Sequence, residues 1–158
     1  MGVLVVVASS FVVAGLVFTL LPRNSIPASV RTQLTSTLLL PSGGGVVINL
    51  DLAKYDAPNK LLTFTVNYAG TVVVFSEQPT PDTFVDIPDA YNKLINGLDS
   101  YESFDTTLGT VHLTRPKKLN GKQMAVLSAK GTLLFAKATD TLTSDQWRQL
   151  CTRIDIAN

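Results

Sequence analysis

The sequence is poor in the residues on which disulfide and metal chemistry depend. It has one cysteine and one histidine in 158 residues, which excludes an intramolecular disulfide and a zinc site built from several Cys and His ligands. Charge is also scarce, at 16% of residues, and 13 basic side chains are balanced by 12 acidic ones. Because the net charge is only +1, the chain lacks the positive surface that nucleic-acid binding requires, and we expect no nucleic-acid partner.

The first 22 residues contain no charged side chain, and Arg23 is the first one in the chain. As a helix, an apolar run of about 21 residues spans about 30 Å, the thickness of the hydrocarbon core of a bilayer. A cleaved signal peptide fits less well, because no basic residue precedes the run and no small-x-small site follows Leu21. Residues 1–22 are therefore predicted to form an uncleaved transmembrane anchor.

Two arguments bear on the side of the membrane that the rest of the chain occupies. Arg23 and Arg31 follow the apolar run, and the positive-inside rule taken alone would place the domain in the cytoplasm. The rule weakens for long translocated domains. We expect a single-pass protein of the cell membrane with an extracytoplasmic domain, and the lipid bilayer is its first expected partner.

The periodicity of apolar residues predicts an α+β globular domain over residues 46–158. Residues 23–45 are predicted to hold a short helix, from Ala28 to Leu38, and a glycine-rich linker. From Val46 onward, apolar and β-branched residues recur in six segments separated by turn residues, which predicts an antiparallel sheet of about six strands packed with two to three helices. The segments are VVINLDLAKY, LLTFTVNY, TVVVFSEQ, TLGTVHLTR, KQMAVLSA and TLLFAKA.

Two of the helices are predicted on one face of this sheet. Asp86 and Pro88 are typical of a helix start, and apolar residues continue from there to Leu98. Thr143 and the Gln three residues later form a capping-box pattern. The apolar stripe that follows begins at Trp147, so we expect this side chain to be buried against the sheet.

Two residues of reactive types are predicted to be structural. His112 lies in a strand that would place Val111 and Leu113 in the core and the imidazole on the other face. As a general base it would need a nucleophile and an orienting carboxylate, and the sequence points to neither. Cys151 lies on the apolar stripe of the last helix, which favours a buried, inert thiol. We therefore expect no enzyme and no cofactor.

An acidic, proline-bracketed segment covers residues 79–88. The spacing of Asp82, Asp86 and Asp89 does not match a calcium-binding loop, and helix capping already explains the last two, so no metal site is predicted. The prolines would hold the segment extended. It is interpreted as a rigid connector, with an exposed loop for partner recognition as the alternative.

The candidate binding residues are four basic side chains in the loop RPKKLNGK. Arg115, Lys117, Lys118 and Lys122 lie within eight residues, close enough to contact an anionic lipid head group, carboxylate or phosphate. A solvated hairpin loop is the alternative. No aromatic residue is interleaved with them, which argues against a nucleic-acid surface.

Three segments carry a resemblance to known domains. Leu39–Ser42 forms a Leu-Pro turn after a short helix, Val74–Gln78 is a strand that ends in Ser-x-Gln, and Leu142–Ile154 is the closing helix. Together they resemble uncharacterised bacterial single-pass membrane-anchored domains, including the domain C-terminal to some anti-sigma factors. The resemblance covers most of residues 34–156 and implies the fold and an envelope location. A similarity to the curved sheet of lipoprotein carriers implies at most an apolar groove.

Three functions are compatible with these features. We favour a membrane-anchored envelope protein whose domain is a non-catalytic binding or sensing module with an envelope protein or lipid as partner. The alternative is a carrier or chaperone that holds a lipid or lipoprotein acyl chain between sheet and helices, and the third is a hydrolase that uses His112. A sealed core would favour the first, a large apolar cavity the second, and a carboxylate plus a hydroxyl beside the imidazole the third.

Overall fold

The computed structural model of the protein describes residues 26–87, 89–117 and 120–157. The predicted anchor over residues 1–22 lies outside these ranges, and so does Lys118 of the basic loop. Within them, the longest helices have eight residues, and none has the length and apolar character needed to cross a bilayer.

Seven antiparallel strands form the main sheet of an α+β domain. A three-strand meander and a four-strand meander are joined side by side, in the order β2-β3-β4-β8-β7-β6-β5. The junction pairs β4 with β8, where Phe75 lies opposite Ala136. The strands are β2 (Val46–Asp56), β3 (Leu61–Tyr68), β4 (Thr71–Pro79), β5 (Ser100–Asp105), β6 (Thr110–Thr114), β7 (Met124–Ala129) and β8 (Thr132–Ala138).

Two short strands form a separate ribbon, and four helices complete the described fold. β1 (Leu39–Pro41) pairs antiparallel with β9 (Ile154–Ile156). The ribbon therefore pairs a strand that precedes the main sheet in the chain with a strand that follows it. The helices are α1 (Ala28–Arg31), α2 (Thr83–Asp86), α3 (Ala90–Gly97) and α4 (Ser144–Cys151).

The sheet has one more strand than the sequence predicts. TLGTVHLTR was predicted as a single strand, but β6 begins only at Thr110, because Thr106 and Gly109 close a turn with reciprocal backbone hydrogen bonds. The strand before that turn, β5, was missed. Only Phe104 is buried in it, so an edge strand of this kind shows almost no alternation of apolar and polar residues.

The predicted helix from Ala28 to Leu38 is wrong in its extent. α1 ends at Arg31, and the chain then runs without regular structure into β1. Leu34 and Leu38 nevertheless pack against the main core. The four-residue spacing was interpreted as a helix, but it arises because both leucines contact the core from an irregular segment.

The predicted start of the second helix is also wrong. Asp86 is the last residue of α2, and α3 begins at Ala90. Asp89, at the N-cap of α3, has a left-handed backbone with φ 65° and makes no side-chain cap. Its carboxylate instead accepts a hydrogen bond from Asn92 Nδ2 at 3.2 Å. Asp86 therefore ends one helix and Asp89 precedes the next, and the Asp89 side chain does not cap α3.

The two eight-residue helices cover opposite faces of the sheet, not one face as predicted. The α4 face, defined by its contact with α4, holds the larger core, in which Phe64 and Phe75 stack with ring centroids 5.2 Å apart. The α3 face, covered by α2 and α3, holds a smaller cluster around Ile95 and Val126. Side chains alternate along β7, so this strand contributes to both cores.

The start of α4 confirms the capping box and the burial of the tryptophan. Thr143 Oγ1 accepts from the Gln146 backbone N–H at 3.2 Å, and Gln146 Oε1 accepts from the Thr143 backbone N–H at 2.8 Å. Trp147 is fully buried on the α4 face. The helix is short, but its first turn has both of these backbone donors satisfied.

Candidate functional site

Two of the four predicted basic residues line one polar cleft. Arg115 follows β6 and Lys122 precedes β7, so the ends of the connecting loop bring the two cations to the same depression, which has a volume of about 300 Å³. Lys117 is exposed and does not line it, and Lys118 lies outside the described residues. The other lining residues are Asn120, Gly121, Gln123, Ala138, Thr139, Asp140 and Thr141.

The guanidinium of Arg115 is placed by an aromatic ring. Its central carbon lies 4.9 Å from the centroid of the Tyr101 ring, a cation–π arrangement. The Arg115 backbone N–H donates to the carbonyl oxygen of Asp99 at 3.2 Å. This stacking leaves the planar guanidinium edge available for a carboxylate or phosphate.

The opposite wall follows strand β8. Lys122 Nζ donates to the Thr139 carbonyl oxygen at 3.4 Å, which anchors the ammonium group at the edge of the cleft. Asp140, an acidic residue, also lines the cleft. Asp140 offsets part of the attraction that Arg115 and Lys122 exert on a ligand with negative charge alone. The arrangement is therefore suited to an anionic group with an amine or hydroxyl nearby.

Gln123 connects the cleft to the core, and sequence reasoning missed it. Only 7% of this residue is exposed. Its Oε1 accepts from Trp147 Nε1 at 3.2 Å and from the Leu142 backbone N–H at 2.8 Å, and its Nε2 donates to the Tyr101 hydroxyl at 3.2 Å. The signal that could have found it is the tryptophan itself, because a buried indole N–H needs an acceptor.

His112 has a hydroxyl partner on the α3 face. Its Nδ1 lies 2.8 Å from Ser103 Oγ, and its ring lies edge-on to the Tyr91 ring, with centroids 5.8 Å apart. Burial lowers the pKa of His112 below its ordinary value, which favours a neutral imidazole at pH 7. Within the described ranges, no carboxylate is hydrogen-bonded to the ring, so the Ser103–His112 pair has no third residue there of the kind that orients the imidazole in a catalytic triad.

Cys151 and the aspartates of the proline-bracketed segment form no reactive cluster in the described part of the chain. Burial raises the pKa of the Cys151 thiol to about 12, which keeps it protonated at neutral pH. Among the described residues, no group of three His, Cys, Asp or Glu side chains is arranged to hold a metal ion. Asp82 and Asp86 serve the turns of α2 instead: the backbone carbonyl of Asp82 accepts from Val85 and Asp86.

A second cleft, more apolar than the first, lies where β2 separates from β3. The pairing register shifts between Asn49 and Lys54, and the displaced residues border a depression of about 520 Å³ beside Thr63 and Thr65. Leu52 stands 67% exposed in it. The cleft is lined only by residues of β2 and β3, so it lies at the edge of the sheet. The space between the sheet and α4 is filled by fully buried side chains such as Trp147.

No protein-family model, curated protein or solved structure matches the chain. The features that bear on function are therefore the Arg115–Lys122 cleft, the Leu52 cleft and the apolar composition of residues 1–22.

Proposed function

We propose that the protein is a single-pass membrane protein of the bacterial cell envelope whose extracytoplasmic domain is a non-catalytic binding module. Its ligand is a small anionic group held in the Arg115–Lys122 cleft. The observation that carries the proposal is the convergence of these two cations, from opposite ends of one loop, on a single polar cleft. Residues 1–22 support the membrane location by their length and lack of charge.

The cleft favours a phosphate or carboxylate that has a hydrogen-bond donor beside it. Hydrogen bonds to charged groups contribute about 1.5 to 3 kcal/mol each, and the Arg115 fork matches the geometry of both anions. Asp140 then accepts from a neighbouring amine or hydroxyl of the ligand. Head groups of membrane lipids and soluble envelope metabolites share this chemistry.

The Leu52 cleft supports the carrier alternative less well. Its volume of about 520 Å³ is sufficient for part of an acyl chain. However, it opens to solvent along the sheet edge, and the core under α4 is already filled. An acyl chain bound there would remain largely exposed to water, which removes most of the hydrophobic gain.

Trp147 offers a direct measurement of binding. It is the only tryptophan, and Gln123 connects its indole N–H to the cleft. The full chain in nanodiscs of phosphatidylcholine, whose quaternary ammonium has no N–H to donate, is titrated with ethanolamine phosphate and with inorganic phosphate. We expect a saturable change of Trp147 emission, with tighter binding of ethanolamine phosphate because Asp140 can accept from its amine.

Matched variants assign the response to the cleft. Arg115→Ala and Lys122→Ala should each weaken binding about tenfold, which corresponds to the loss of one charge-assisted hydrogen bond. Lys93→Ala, at an exposed position on α3, should have no effect. Nanodiscs that contain phosphatidylethanolamine separate the sources: a lipid head group would compete with the soluble anion, and a free ligand would not. The absence of saturation with both anions, or equal binding by Lys122→Ala, would contradict the proposal.

A further inference from the structure

A buried carboxylic acid lies under the β1–β9 ribbon. Glu77 is on β4, and only 2% of it is exposed. Its strand neighbours are Leu62 on β3 and Leu134 on β8, both also buried. The carboxyl group therefore lies in a row of leucines on the α4 face.

One oxygen of this carboxyl group holds β1 in place. Glu77 Oε2 accepts a hydrogen bond from the Leu39 backbone N–H at 3.2 Å, and Oε1 has no partner among the described residues. The single ion pair of the described chain joins Arg148 to Glu102. Among the residues that the structure describes, Glu77 thus has no cation to compensate a negative charge.

The elements packed against Glu77 bring no charged side chain to it. β1 consists of Leu39, Leu40 and Pro41, and the core-facing positions of β3 and β8 carry no charge, with Tyr68 the only titratable side chain among them. Tyr55 lies across Leu62 in the same row, and Cys151 belongs to the same core.

The charged residues of β9 and its approach have partners elsewhere. Arg153 Nη1 donates to the Gly44 carbonyl oxygen at 2.7 Å, and Asp155 Oδ2 accepts from Ser42 Oγ at 3.4 Å. The environment that controls Glu77 is therefore the apolar core and the amide of β1.

The ribbon depends on such contacts because it is short. β1 and β9 pair over three residues each, and an isolated two-stranded ribbon is marginally stable in water. Two further contacts hold this part of the chain in addition to the Glu77 hydrogen bond. The Ala157 backbone N–H donates to the Leu38 carbonyl oxygen at 3.0 Å, and the Leu39 side chain is buried.

We propose that Glu77 is a proton-controlled latch that holds β1 on the domain while the carboxyl group is neutral and releases it when the carboxyl group ionises. A carboxylate among leucines without a cation is costly. Opening the β1–β9 ribbon would allow water to solvate the Glu77 carboxylate. Burial raises the pKa of Glu77 to about 8, and the Leu39 hydrogen bond opposes this shift. Residues 26–38 lead from the predicted anchor to β1. Release of β1 would therefore loosen the attachment of this stretch to the domain, although Ile26 is also buried in the core.

Amide hydrogen exchange of the full chain in detergent micelles tests the latch. Exchange rates are divided by the intrinsic rates at each pH between 5.5 and 9. In the closed ribbon the carboxyl group titrates at a higher pKa than in water, so opening releases one proton. The protection of the Leu39 amide should then fall about tenfold per pH unit up to about pH 8 and level off above it.

Two comparisons make the test decisive. Glu77→Gln keeps an acceptor for Leu39 but cannot ionise, so its Leu39 protection should not change with pH beyond the intrinsic rate. In the unmodified chain, Leu39 should also be less protected than Val66, a buried residue of β3, an interior strand of the main sheet, because the ribbon opens locally. A pH-independent Leu39 amide, the same slope in Glu77→Gln, or equal protection of Leu39 and Val66 would each overturn the proposal. The last comparison needs no variant and holds even if Glu77→Gln fails to fold.

Discussion

At the scale of single residues, polar groups buried in the core connect the surface to the interior. Gln123 is bonded at once to Tyr101, Leu142 and Trp147, so the floor of the cleft is positioned by the same contacts that hold the start of α4. Such residues are hard to predict because a single buried glutamine produces no pattern in the sequence. Trp147, in contrast, was predicted to be buried from its place on an apolar stripe, and the structure confirms it.

Truncation of this tryptophan should be among the most damaging changes to the domain. Trp147→Ala empties a fully buried site and should lower the free energy of unfolding by about 3 to 5 kcal/mol. Trp147→Phe keeps most of the volume and loses the hydrogen bond to Gln123, so it should cost about 1 to 2 kcal/mol. Urea denaturation followed by circular dichroism measures both. Equal, small effects would mean that the indole is not part of the core.

The Glu77 carboxyl group should make the stability of the domain depend on pH. Its pKa is raised from 4.5 to about 8 in the folded protein, so the folded state binds the proton more tightly than the unfolded state does. The stabilisation is full below about pH 4.5, decreases as the pH rises toward 8, and is lost above it. Urea denaturation of Glu77→Gln should lack this decrease. A parallel decrease in both proteins would assign it to another group.

At the scale of elements, the sequence predicts what has a strong local signal. The capping box and stripe of α4 and the strands from Val46 to Pro79 are where the patterns place them. β1, β5 and β9 were missed, because each is short or is mostly exposed at a sheet edge. The placement of α3 and α4 on opposite faces could not be predicted either, since β7 alternates between two apolar cores and reads as a continuously apolar segment.

The α4 cap gives a test at this scale. Thr143→Ala removes the acceptor for the Gln146 backbone N–H and should lower the free energy of unfolding by about 1 kcal/mol. Thr107→Ala, at an exposed turn position, is the matched control and should change it by less than about 0.5 kcal/mol. Thermal unfolding of the three proteins in parallel measures the difference. A Thr143→Ala protein as stable as the control would show that the cap does not stabilise the helix.

At the scale of the whole molecule, the proposed function combines the predicted anchor with the cleft. The sequence identified the four basic residues of the loop, but it could not show that Arg115 and Lys122 share a cleft while Lys117 does not line it, because the path of a loop depends on the strands that hold its ends. Nor could it show that Asp140, from another loop, lines the same cleft. In the proposed function, this acidic residue favours an anionic ligand that also carries a hydrogen-bond donor.

Topology is the first prediction for the whole molecule. An alkaline phosphatase fused after Asn158 should be active, because we expect the domain to lie outside the cytoplasm. A fluorescent protein that folds only in the cytoplasm, fused at the same site, is the matched control and should stay dark. Inactive phosphatase with a bright fluorescent fusion would show that Arg23 and Arg31 determine the orientation by the positive-inside rule.

The central claim is that the Arg115–Lys122 cleft binds an anionic group, and chemical-shift mapping tests it most directly. The isotope-labelled full chain in zwitterionic micelles is titrated with ethanolamine phosphate. We predict saturable shifts of the backbone amides of residues 120–123 and 139–141. The side-chain amide of Gln123, whose oxygen accepts a hydrogen bond from Trp147 Nε1, should shift as well. Shifts centred instead on Leu52 and Thr63, or no saturable shift at any residue, would contradict the account.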